Sequence, residues 1–180
     1  MKLRVLFYRA ERDGHWLDDG ISLWTKLFNW KTKPYSHCEI WWPDADGRFV
    51  SEIDPSVHLG VCFTSTMRGT ANGTVVRKAY TVLTHPSRWD YCEIEVPDDM
   101  AWEAINWACF AAANNQGYDK LQILGFFFPW RFGSADQNIC SEAVGKFLYR
   151  SGVLNSQKVL SPRRLSRQLE TMGYRAKALK

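Results

Sequence analysis

The stretch Asn138-Ile139-Cys140-Ser141-Glu142-Ala143-Val144-Gly145-Lys146-Phe147-Leu148 places a cysteine on the first turn of a helix, with Cys140, Val144, Phe147 and Leu148 recurring at i, i+4, i+7 and i+8. A helix N-terminus carries unpaired backbone N–H groups and roughly half a positive charge, so it favours a thiolate over a thiol and offers donors to a developing oxyanion. The same spacing also suits a cysteine that only packs, because free cysteine is among the most buried residue types. A base elsewhere in the chain decides between the two.

Working outward, the loop Gly133-Ser134-Ala135-Asp136-Gln137 delivers the chain to Cys140, and an aromatic-rich segment from Tyr118 to Trp130 precedes it. Pro97-Asp98-Asp99 signals a helix start, and Met100 to Ala113 is apolar nearly all round, which belongs in a core. Downstream, Ser161-Pro162 marks the N-cap and first position of a helix running to about Glu170. The N-terminal half reads as strands: Leu3 to Tyr8, Tyr35 to Trp42, Arg48 to Ile53, Gly60 to Thr64, Thr74 to Tyr80 and Tyr91 to Val96. Between the first two, Asp18 or Asp19 caps a helix with Ile21, Trp24, Leu27 and Phe28 at helical spacing, ending before Pro34. The expectation is a single α+β domain over residues 1–180, its antiparallel sheet packed against the Cys140 helix and the Met100 to Ala113 helix.

The base comes from Tyr35-Ser36-His37-Cys38-Glu39-Ile40-Trp41-Trp42. Of the four histidines, His15, His58 and His85 sit in turns or loops, and His37 alone lies inside a strand. The turn Pro43-Asp44-Ala45-Asp46-Gly47 implies a hairpin; centred between Asp44 and Ala45, it sets Trp41 opposite Arg48, Glu39 opposite Val50 and His37 opposite Glu52. A thiol nucleophile needs a base to take its proton, and the imidazole needs a third group to hold its tautomer. Cys140, His37 and Glu52 fill those roles, with Glu39, on the same face, and Asp54 as alternatives to Glu52. A metal site from His37, Cys38 and Glu39 is disfavoured, because consecutive strand residues point to opposite faces.

Composition bounds the context. The 180 residues carry a net charge of +4, with 46% hydrophobic and 14% aromatic content, so the chain is globular and large enough for a real core. The basic residues of the tail, Arg163, Arg164, Arg167, Arg175, Lys177 and Lys180, read as a solvated helix face, and no nucleic-acid partner is expected. Five cysteines with no C-x-x-C pair argue against a disulfide framework and against a thiol zinc site, and no metal or other cofactor is expected. Neither a signal-peptide run nor eighteen uninterrupted apolar residues can be read, so the expectation is no transmembrane segment and a cytoplasmic protein, or one delivered by a non-classical route such as a phage particle.

Taken in order, these elements resemble a known group. A strand, a helix, Tyr35-Ser36-His37 on a strand, an acid fifteen residues later, a long helix closing on Gly117-Tyr118-Asp119, and then Cys140-Ser141-Glu142 on a helix resemble the circularly permuted NlpC-like papain-fold hydrolases. That group includes the YiiX-type enzymes and, more distantly, the lecithin retinol acyltransferase family. Histidine precedes cysteine there, the reverse of papain, and the resemblance spans roughly residues 1 to 165, with Ser161-Pro162 and Leu165 matching an element that follows the cysteine helix. It implies Cys140 as nucleophile, His37 as base, Glu52 as the orienting residue, and Tyr35 and Ser141 as oxyanion or substrate contacts. It also implies a thiol amidase or peptidase acting on cell-wall peptides or acylated amines, or an acyltransferase. One departure is the bulky run Cys38-Glu39-Ile40-Trp41-Trp42, where such proteins often have a glycine soon after the histidine; it narrows the expected cleft. The rival from another class is a non-catalytic binding protein gripping a partner through Trp41, Trp42 and Phe126 to Trp130.

Overall fold

The computed structural model describes residues 1–9, 35–66, 72–114, 117, 139–157 and 160–179. The expected helix after Asp18, the Tyr118 to Trp130 segment and the 133–137 loop lie outside the described residues.

Apart from Arg4 the run Leu3-Arg4-Val5-Leu6-Phe7-Tyr8 is apolar without alternation, the pattern of a strand buried on both faces. It forms the middle of β1 (Lys2–Arg9), and Leu3, Val5, Leu6 and Phe7 have no exposed surface. Around it stand β2 (Tyr35–Trp42), β3 (Val61–Thr66), β4 (Gly73–Lys78), β5 (Trp89–Glu95) and β6 (Lys177–Ala178). The sheet order is β4-β3-β2-β1-β5-β6, and each neighbouring pair is antiparallel. Helices α1 (Ala79–Val82), α2 (Asp98–Ala113), α3 (Cys140–Arg150) and α4 (Pro162–Thr171) complete the α+β architecture among the described residues. None of the helices is long and apolar enough to cross a membrane, again among the described residues.

The sheet separates two cores. On one face Val5, Phe7, Cys38, Ile40, Trp42 and Phe63 meet the apolar sides of α2, α3 and α4. On the other, Leu6, Tyr8, Trp41, Cys62 and Trp89 are covered by Phe49, Ala79 and Leu83. Helix α3 runs alongside β2 in the same direction: Phe147, about 10 Å along the axis from Cys140 at 1.5 Å per residue, stacks on Trp42 with centroids 6.1 Å apart. Trp42 in turn lies about 13 Å along β2 from Cys38, so the start of α3 falls level with Cys38. Burying the Phe147 ring between Trp42 and Phe63 thus fixes where Cys140 stands along the strand.

The expected hairpin does not form. The turn itself does, with Asp44 Oδ1 accepting from the Asp46 and Arg48 N–H groups at 3.0 and 2.8 Å. Beyond it the chain leaves the sheet, because Phe49 turns in to meet Trp41 edge-on at 4.9 Å and the Trp41 indole N–H donates to Leu59 C=O at 2.7 Å. Residues 48–53 are therefore loop, tied by a single bridge between Val50 and His58, and β2 pairs with β1 and β3 instead. The excursion closes at Gly60, whose φ is +78° and where an added Cβ would lie 2.1 Å from the Trp42 carbonyl oxygen. Likewise the strand expected over Thr74 to Tyr80 ends at Lys78, where the single helical turn of α1 begins.

Candidate active site

Strands β2 and β3 pair only from Trp42–Val61 to Ile40–Phe63. Beyond it a side-chain bond appears, the Thr64 hydroxyl donating to Cys38 C=O at 2.9 Å. The strands part there, and Cys140 lies near enough to this edge for its titration to feel the Cys38 side chain and N–H and the His37 imidazole. Cys38 belongs to the helix side of β2 and His37 to the other, so Cys140 is coupled electrostatically to groups from both faces of the strand. Cys140 is the first residue of α3, and the first intrahelical bond runs from the Glu142 N–H to Ile139 C=O at 3.1 Å, so the Cys140 and Ser141 N–H groups precede it. Ile139 supplies no side-chain cap.

His37 is 6% exposed. Its Nε2 lies 3.1 Å from Glu39 Oε1, which leaves Nδ1 for the sulfur. Glu39, 1% exposed, is two residues along the same strand and so on the same face. Arg77 on β4 reaches across β3 and donates from Nη2 to Glu39 Oε1 at 2.7 Å. The Trp89 ring stands edge-on to the imidazole at 6.3 Å and helps to close the site.

The electrostatics separate Cys140 from the other thiols. The Cys38 S–H bond is the largest influence on Cys140 and lowers its pKa; burial opposes it, and the charge and hydrogen bond of His37 together with the Cys38 N–H carry the net result well below the ordinary thiol value. For His37 burial is the largest influence and lowers the pKa, but the Cys140 thiolate and then Glu39 outweigh it and raise the pKa to about 9. Burial first, and then donation to Cys140, push Cys38 up; burial pushes Cys62 up and Cys92 up to about 12. These fields favour a thiolate beside an imidazolium at neutral pH, which is the charge state an attacking sulfur requires.

The expected residues are divided by the fold. Cys140 and His37 lie near enough for each to shift the other's titration. Glu52 does not join them: with the hairpin absent it lies in the loop, its side chain 79% exposed and 3.7 Å from Arg48. Glu39 takes the position beside the imidazole, and Asp54 caps Ser56 in the loop. Tyr35 is also redirected. A bulge pairs Tyr8 with His37 but Arg9 with Tyr35, so Ser36 is extra and Tyr35 turns to the helix face. There its ring packs on Phe7 and its hydroxyl donates to Asp90 Oδ2 at 2.6 Å; burial and that bond hold the phenol strongly protonated, and it is committed to Asp90 rather than to an oxyanion. Ser141 is 1% exposed with its Oγ unpartnered among the described residues, so its backbone N–H, not its hydroxyl, is the group that belongs to the helix terminus. Arg77 is invisible to sequence reading, since only the β2–β3–β4 order brings it to Glu39.

Among the described residues no group of three or more histidine, cysteine or acidic side chains is placed to hold a metal ion. Comparison of the chain with protein-family models, with curated proteins and with solved structures finds no match.

Proposed function

We propose that the chain is a cysteine hydrolase of the circularly permuted, NlpC-like papain kind, cleaving an amide or ester through an acyl-enzyme. The observation that carries the reading is a helix-N-terminal thiol coupled electrostatically to an imidazole whose Nε2 lies 3.1 Å from a buried carboxylate. The order His37 before Cys140, on a strand and a following helix, agrees with that permuted arrangement. The Cys140 sulfur attacks the substrate carbonyl carbon, and the oxyanion falls to the Cys140 and Ser141 N–H groups at the start of α3. The His37 imidazolium gives its Nδ1 proton to the leaving amine or alcohol as the C–N or C–O bond breaks, and a thioester to Cys140 remains. His37, now neutral, takes a proton from water, which attacks the thioester and releases the acid and the thiolate. The substrates proposed are cell-wall peptides or acylated amines; with an amine in place of water the same steps become acyl transfer.

The test is alkylation. Iodoacetamide at neutral pH, followed by peptide mass mapping, should modify Cys140 first, ahead of the exposed Cys109, despite the burial of Cys140. His37→Phe should bring Cys140 down to or below the rate of Cys109. Preferential labelling of Cys109 in the wild-type protein, or no effect of His37→Phe, would remove the reading.

A further inference from the structure

Arg77 lies opposite Cys62, and Cys62 lies opposite Trp41, so the Arg77 side chain starts two strand spacings, about 9.6 Å, from β2. It crosses β3 to end on Glu39, and it donates to the oxygen that His37 Nε2 already approaches: Oε1 receives Arg77 Nη2 at 2.7 Å and stands 3.1 Å from the imidazole. Glu39 Oε2 is buried and has no partner among the described residues. The sharing is therefore not forced by a lack of acceptors. Two cations on one oxygen lie within about 6 Å of each other, a range over which like charges oppose each other's protonation.

We propose that Arg77 is a positioning residue which sets how strongly Glu39 draws on the His37 proton, by drawing on the same carboxylate oxygen. This rests on the reading of Cys140 and His37 as a thiolate–imidazolium pair. Arg77 has two effects of opposite kind. It offsets the cost of burying the Glu39 carboxylate and holds it against the imidazole, and it weakens the carboxylate's hold on the imidazolium proton. A proton that must leave Nδ1 for the departing group is then held less tightly. Other ionisable groups near the pair, among the described residues, have settled states or partners. Tyr8 of β1, opposite His37, accepts at its hydroxyl from Arg88 Nη1 at 3.0 Å. Cys38 and Cys62 are held as thiols, and Cys140 supplies the thiolate. Among the described residues Arg77 is the one cation besides His37 that touches Glu39.

The experiment follows His37 directly by NMR titration of histidine-labelled full-length protein, which needs no substrate. Arg77→Met should move the His37 midpoint upward by about half a pH unit or more, and Arg77→Lys should return it most of the way. If Arg77→Met does not fold, Arg77→Gln reads the same loss of charge. A role confined to holding Glu39 in place predicts the opposite sign, because a released Glu39 leaves the imidazole less stabilised; an unchanged or lowered midpoint overturns the proposal. Cys140→Ala serves as the control on the parent reading and should lower the same midpoint by removing the thiolate. If Cys140→Ala has no effect, the ion-pair reading fails; if it lowers the midpoint while the Arg77 variants stay at the wild-type value, Arg77 alone is wrongly assigned.

Discussion

Replacing Glu39 by glutamine removes a charge from the site while preserving its shape. Both donors use Oε1, so the side-chain carbonyl oxygen of the introduced glutamine can keep the Arg77 bond and the imidazole bond together. At 3.1 Å and an effective dielectric of about 20, the charge–charge attraction between carboxylate and imidazolium is about 5 kcal/mol, an upper bound because Arg77 already engages the same oxygen. A better measure is the difference between a charge-assisted hydrogen bond, about 1.5–3 kcal/mol, and a neutral one, about 0.5–1.5 kcal/mol. The difference of about 1.4 kcal/mol is a tenfold loss of proton affinity at His37. The His37 midpoint, about 9 in the wild type, should fall to about 8 in Glu39→Gln. Histidine NMR across pH 6 to 10, with far-UV circular dichroism to check the fold, makes the measurement. Glu52→Gln should leave the midpoint unchanged, since that side chain is 79% exposed and beside Arg48. A wild-type midpoint in Glu39→Gln, or an equal fall in Glu52→Gln, would refute the assignment of Glu39.

Two more outcomes follow from the same contacts. Cys38→Ala removes the thiol that donates to Cys140 while keeping the peptide N–H, so the acid limb of Cys140 alkylation should move to higher pH; an unmoved limb would show that the Cys38 S–H is not a donor. For stability against pH, His37, raised to about 9 from 6.5, contributes fully below 6.5 and loses that contribution as pH rises to 9, while Cys140, lowered from 9.0, gains through the same window. Well inside that window, where the folded pair is thiolate and imidazolium, folded and unfolded chains bind equal numbers of protons at this pair, and the Tm difference between wild type and a Cys140→Ala, His37→Phe double variant should be flat there and shrink as pH falls through 6.5. A slope inside that window would contradict the paired charge state.

How much could be read before folding depended on the range of the interaction. The Cys140 helix declares itself through local periodicity and the β1 strand through its apolar run, and the strand extends one residue beyond Leu3 to Tyr8 at each end. The turn at Asp44 was equally local and does form, yet its hairpin fails on contacts that no turn residue encodes: the Phe49 ring on Trp41 and the Trp41 indole on Leu59 C=O. With the hairpin went Glu52. Tyr35 was misplaced by one extra residue, since the bulge at Ser36 reverses every facing argument that runs through it. Alternation along β2 did place Glu39 with His37, but it also placed Cys38 on the opposite face, away from both. The site uses all three because β2 and β3 separate at Cys38, and a sulfur at the edge of a strand is within reach of both its faces. Strand periodicity assigns side chains to faces; it carries no information about where two strands stop pairing, and here that ending lets Cys140 couple to His37.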